Sequence, residues 1–111
     1  MPEPKTVTAP QVLSFAEFTT LVERHQRELY VFLRGIVAHE EQAHDLLQDT
    51  FYDAWRAAKR GAPPLVEGGA RDEVRRWLFH TAYCRAISVL RRRRLIRWVS
   101  LDHGSLWKTR L

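Results

Sequence analysis

The sequence predicts an all-α fold, a compact bundle of about three helices. Three observations predict it. Apolar residues recur at three- and four-residue spacing through three long segments, which is the period of a helix and not of a strand. One Gly/Pro-rich stretch, RGAPPLVEGGA at 60–70, makes a clear break before the third of them. The chain of 111 residues, 45% hydrophobic and 28% charged, has the size and balance of one globular domain with a sizeable core.

The first helix is expected over about 15–38. Ser14 followed three residues later by Glu17 is a capping box, each side chain satisfying a free backbone N–H at the helix start. Behind it Phe18, Leu21, Val22, His25, Leu29, Phe32, Leu33, Ile36 and Val37 form one apolar stripe, on which His25 reads as a packed or rim residue. Everything before the cap, residues 1–13, reads as a disordered leader.

The second helix is expected over about 41–59. Ala43, Leu46, Leu47, Thr50, Phe51, Ala54, Trp55 and Ala58 keep helical spacing without interruption and form the inward stripe. Asp45, Gln48, Asp49, Tyr52, Asp53 and Arg56 fall together on the opposite face. A short connection joins this helix to the first, so the two are expected to pack antiparallel.

The third helix is expected over about 72–95. Asp72 and Glu73 suit its first turn, where negative charge meets the positive end of the helix dipole. Val74, Leu78, Thr81, Ala82, Ala86 and Val89 make its buried stripe, with Trp77 and Leu90 alongside. The helical domain is thus expected over 14–97, followed by a linker or tail over 98–111, WVSLDHGSLWKTRL.

Charge is segregated. The chain carries a formal +5 with a pI near 10.0, yet Gly35 to Trp55 holds no Lys or Arg while Glu40, Glu41, Asp45, Asp49 and Asp53 are acidic. From Arg71 to Arg97 there are nine arginines against two acids, Asp72 and Glu73. Such clustering points to an anionic partner. Within it, Trp77, Phe79 and Tyr83 interleave with the arginines. Guanidinium groups neutralise phosphates and aromatic faces stack on unpaired bases, so the mixture suits single-stranded or melted nucleic acid.

Enzyme readings fail on spacing. HEEQAH at 39–44 approximates a zinc-protease motif, but its second His falls at i+5, rotated away from a shared metal. No Gly-rich phosphate loop precedes a Lys-Ser/Thr pair. His80 stands one helical turn before Cys84, and nothing else supports a thiol nucleophile there. No enzyme activity, cofactor or metal is expected. The single cysteine excludes an intramolecular disulfide, the N-terminal residues lack a secretory core, and no run of apolar residues is long enough to span a bilayer. A cytoplasmic, nucleoid-associated protein without a membrane role is expected.

AHDLLQDTFYDAW at 43–55 followed by WLFHTAYCRAISVLRRRR at 77–94 resembles region 2 of the extracytoplasmic-function (group 4) sigma factors, the bacterial promoter-recognition subunits of RNA polymerase. The resemblance runs from about Phe15 to Asp102. It implies that the acidic helix docks on a coiled-coil of the largest subunit of core polymerase through Asp45, Gln48 and Asp49, with Tyr52, Asp53 and Arg56 beside them. It implies also that the third helix and the preceding loop read the promoter −10 element as single-stranded non-template DNA. Loop 60–72 with helix residues around His80 and Cys84 would then receive a flipped base, Trp77 would be a further DNA contact, and Arg75, Arg76, Arg85, Arg91, Arg92, Arg93 and Arg94 would hold the backbone. An anti-sigma factor is a further implied partner. The family's usual Asn falls here on Cys84 and its usual Asp on Ser88, so base contact at Cys84 departs from the family pattern. The family's second helical domain, which reads the −35 element, is not encoded in this sequence.

Other classes compete. A pure interaction module would use the acidic helix alone and leave the arginines in solvent. A basic amphipathic membrane-surface element would place Trp98 and Trp107 at the interface. A major-groove helix-turn-helix requires a far shorter turn than residues 60–70.

Overall fold

Ser14 starts the first helix through the reciprocal pair its sequence predicts. In the computed structural model, which describes residues 12–110 and burial as far as Ser100, the Glu17 N–H donates to Ser14 Oγ at 3.1 Å and the Ser14 N–H to Glu17 Oε1 at 2.9 Å. Helix α1 then runs Phe15–Val37 and stops at Ala38, whose left-handed backbone lets its N–H reach Arg34 O. Leu21, His25, Leu29, Leu33 and Val37 are buried, one i, i+4 row along the face that meets the other helices. Phe18, Val22, Phe32 and Ile36 of the expected stripe flank this row and are only half-buried.

Helix α2 runs Glu40–Lys59, with Glu40 and Glu41 in its first turn, where they complement the helix dipole in place of a side-chain cap. Its buried face, Ala43, Leu46, Thr50, Phe51, Ala54, Ala57 and Ala58, is rich in small residues that let neighbouring backbones approach. Thr50 satisfies its hydroxyl on Leu46 O at 2.8 Å. Two members of the expected stripe, Leu47 and Trp55, lie instead at the half-exposed rim. Trp55 is too large for the narrow Ala-lined contact and packs on Phe15 and Phe18 at ring separations of 6.0 and 5.0 Å.

Loop 60–70 is pinned to the bundle. Leu65 is fully buried in the shared core, and Val66 forms an antiparallel bridge to Val12. Val12 and half-buried Leu13 are therefore placed, while residues 1–11 of the expected leader lie outside the described residues. A Cβ on Gly69 would stand 2.0 Å from Pro64 O, so the loop closes on itself only because that residue has no side chain.

Helix α3 runs Arg71–Arg110, far beyond the expected end near 95. Val74, Leu78, Ala82 and Ala86 are its buried row. Beyond Arg93 it leaves the bundle, and Leu95, Ile96, Trp98 and Val99 are exposed. The segment expected as a linker or tail is helical to Arg110 because no proline interrupts it and an α-helix satisfies its backbone hydrogen bonds within itself, without a partner. Apolar periodicity marks only the packed part of a helix, so it underestimates one that continues into solvent. Each helix packs against both others around one core; among the described residues no helix is long and apolar enough to cross a membrane.

Candidate docking and nucleic-acid surfaces

Helix α2 carries the acidic face. Asp45, Gln48, Asp49, Tyr52 and Arg56 are exposed, as the spacing of the buried stripe requires. Arg56 lies over the Tyr52 ring, 5.6 Å from its centroid. Towards α1 this face borders an apolar groove of about 590 Å³ walled by Phe15, Phe18, Leu47, Phe51 and Trp55, with Gln48 and Tyr52 at its edge. Phe18, Phe51 and Trp55 of its lining belong to the apolar stripes that the spacing turns inward, whereas Phe15 lies outside them; the rim positions of Leu47 and Trp55 expose the groove.

Towards α3 the same face is tied down. The Arg85 guanidinium forks onto Asp53, Nε to Oδ2 at 2.5 Å and Nη2 to Oδ1 at 2.9 Å, and its Nη1 lies 3.5 Å from Asp49 Oδ2. The Arg85 pKa is raised above its ordinary value, first by the hydrogen bond to Asp53 and then by the charges of Asp53 and Asp49 against an opposing desolvation. The two surfaces expected from sequence to be separate are thus joined here: a residue expected at DNA is bonded to two expected at a protein.

The seven arginines expected at a phosphate backbone divide into two groups. Arg75 donates to Glu28 Oε1 at 3.1 Å and lies over Phe79 at 4.6 Å. Arg85 is bound as above. Arg93 is half-buried, with Nη1 3.4 Å from Val37 O, where its charge meets the negative end of α1. Arg76, Arg91, Arg92 and Arg94 are exposed and have no ion pair among the described residues. Spacing foreshadowed one of these: Arg93 stands seven residues after buried Ala86, on the packed row.

The expected base-receiving region also divides. Pro63, Pro64, Glu73, Arg76, Trp77 and His80 line an open, largely apolar groove of about 480 Å³ between the loop and α3. Trp77 is half-buried there, one side packed on the core and the other available for stacking. Cys84 is not part of this groove. It lies with Arg85, Ser88 and Arg92 in a second groove between α2 and α3, and His80 alone borders both. Cys84 Sγ sits 3.6 Å from His80 Nε2.

One polar cluster around a buried histidine escaped the sequence reading. His25, 3% exposed, pairs Nδ1 with Glu28 Oε2 at 2.8 Å, and Glu28 in turn accepts from Arg75. The Glu28 carboxyl is held below its usual value, first by the His25 hydrogen bond and also by Arg75, against desolvation. His25 Nε2 has no hydrogen-bond partner. Glu28 lies off the apolar stripe of α1; His25 stands one turn before it, a spacing the sequence offered, while Arg75 is 47 residues away and carried no local sign. No group of His, Cys, Asp and Glu suited to a metal occurs among the described residues.

The family model of sigma-70 region 2 matches residues 21–96 of the chain. No curated protein and no solved structure matches it significantly.

Proposed function

The chain belongs to the sigma-70 region 2 family, and from that premise we propose that it is the region 2 domain of an extracytoplasmic-function sigma factor acting in the bacterial cytoplasm. Sigma-70 region 2 is a non-catalytic domain of transcription initiation that binds core RNA polymerase and recognises promoter DNA. In the proposed arrangement, the exposed face of α2 docks on the largest-subunit coiled-coil through Asp45, Gln48 and Asp49, with Tyr52 and Arg56 alongside. Opposite charge steers and registers that encounter. The groove between loop and α3 receives an unpaired −10 base against Trp77 and His80, and Arg76, Arg91, Arg92 and Arg94 hold the strand. An anti-sigma factor would compete for these same surfaces.

The observation that carries this reading is the segregation of exposed charge. An acidic α2 face is repelled by DNA and fits a basic protein, while the unpaired arginines all lie on α3, Arg76 in the loop groove beside Trp77 and Arg91, Arg92 and Arg94 several turns further along the helix. Asp45→Arg with Asp49→Arg is expected to abolish binding to core polymerase in a pull-down; undiminished binding would refute the docking face. Replacing Arg91, Arg92 and Arg94 by Ala is expected to weaken binding of a −10 single strand and flatten the log–log salt dependence by roughly two units, about 0.7 per phosphate contact. Binding to polymerase with no affinity for single strands at low salt would instead favour a protein-interaction module with no DNA role.

A further inference from the structure

Two apolar surfaces of the chain stay uncovered, and their shapes and charges are complementary. The outer part of α3 carries Leu95, Trp98 and Val99 at i, i+3 and i+4, so the three share one exposed face. Arg91, Arg92 and Arg94 stand one turn before them, exposed and without an ion pair among the described residues. The counterpart is the groove of about 590 Å³ walled by α1 and α2 alone, with Phe15, Leu47 and Trp55 in its apolar lining. Phe15 is 73% and Tyr52 60% exposed there, and uncovered apolar patches of this kind mark contact sites. Charge along the groove is asymmetric. Exposed Glu41 and Asp45 stand seven and three residues before Gln48 and flank one end. At the other end Arg56 lies over Tyr52 and Lys59 over Trp55. A helix whose arginines precede its apolar residues therefore fits in one direction, arginines against the acids and Trp98 towards Trp55. The lengths agree: Arg91 to Val99 spans about 12 Å and Asp45 to Trp55 about 15 Å at a helical rise of about 1.5 Å per residue.

We propose that the α1–α2 groove is the docking site for the outer α3 of a second copy of this chain, and that two copies exchange these helices in a reciprocal twofold pair. Within one copy, α3 is an unbroken helix that leaves the bundle beyond Arg93, so it cannot turn back into the groove of its own bundle. A second copy presents the same helix without that constraint. In the pair, Leu95, Trp98 and Val99 cover the aromatic lining, while Arg91, Arg92 and Arg94 meet Glu41 and Asp45. Each copy gives one helix and receives one, so the assembly closes at two. Nucleic acid would satisfy the arginines but leave aliphatic Leu95 and Val99 uncovered; a second copy covers both. Few residues take part in each contact, which places the pair among weak, transient associations. Opposite charge sets its register. The pairing needs neither polymerase nor promoter DNA.

Sedimentation equilibrium of the chain, freed of nucleic acid, tests the pairing. The average mass is expected to rise from one chain towards two as concentration approaches about 0.1–1 mM, the range of a weak contact. High salt is expected to reverse the rise by screening the arginine–carboxylate attraction. Trp98→Gln on the donated helix and Gln48→Arg at the groove edge both replace exposed side chains and leave the core intact. Trp98→Gln is expected to weaken association by about tenfold or more, and Gln48→Arg by about three- to tenfold. Mixing the two variants restores one sound contact, the unaltered helix of one in the unaltered groove of the other. The mixture is therefore expected to associate more tightly than either variant alone. A chain that stays monomeric to about 1 mM overturns the proposal, and so does a mixture no tighter than its parts. Association that Trp98→Gln abolishes but Gln48→Arg leaves unchanged, or that salt strengthens, also overturns it, because the outer helices would then pair with each other.

Discussion

Gly35 and Gly69 face opposite surroundings, and the contrast shows what a single residue decides here. Gly35 lies inside α1 with nothing within 4 Å of where a Cβ would stand. Gly35→Ala is therefore expected to stabilise the chain by about 0.5–1 kcal/mol, through lower backbone entropy in the unfolded state. Gly69 turns its α-carbon onto the backbone of its own loop, with Pro64 O at 2.0 Å and Val66 O at 3.1 Å from a built Cβ. Backbone cannot give way like a flexible side chain, so Gly69→Ala is expected to destabilise by about 1–3 kcal/mol. It should also weaken −10 strand binding, because Pro64 walls the loop groove. Urea melts of both variants check the opposite signs. Sequence marked both residues as glycines, and only the closure of the loop distinguishes them. The same holds for arginine: Arg76 and Arg85 read alike in sequence, while the neighbours supplied by α2 make one free and the other bound.

Among the elements, α1 and α2 were legible nearly to their ends. The capping box at Ser14 and Glu17 sets the start of α1 by local hydrogen bonds, and the apolar stripes are long enough to define both helices. Helix α3 was legible only where it packs. Its outer part carries Leu95, Ile96, Trp98 and Val99 at 55–64% exposure, so its apolar residues contribute nothing to the core that sequence patterns report. Ile96→Lys and Trp98→Gln are accordingly expected to change unfolding free energy by less than about 0.5 kcal/mol, as ordinary surface substitutions do. A larger loss in a urea melt would mean that this segment folds back on the bundle. The division within α2 has the same origin. Periodicity separates an inner face from an outer one, but cannot say that Asp53 lies against α3 while Gln48 and Tyr52 border the aromatic groove.

At the scale of the molecule, the helices share one core, and polar ties across it link that core to pH. Glu28 on α1 accepts from Arg75 on α3 and pairs with buried His25. Its folded pKa lies below the usual 4.5, so it contributes stability that is fully present above that value and lost as pH falls through the lowered one. The melting temperature of the wild-type chain is expected to decline as pH drops below about 5, with part of that decline traceable to Glu28. Glu28→Gln cannot lose that contribution, so the gap between the two proteins is expected to narrow as pH falls. A gap that stays constant or widens in thermal melts would contradict the role given to Glu28.

The sequence by itself determined that the chain is helical, where α1 and α2 lie, which faces turn inward, and that acidic and basic charge occupy different helices. These follow from local hydrogen bonding, side-chain period and composition, all of which act along the chain. Only the tertiary structure decided which charges are free. Arg75, Arg85 and Arg93 are engaged by Glu28, Asp53 and the end of α1, while Arg76, Arg91, Arg92 and Arg94 stay open to solvent. An ion pair depends on distance between side chains brought together by packing, and residues 32 to 56 positions apart in sequence carry no local sign that they will meet.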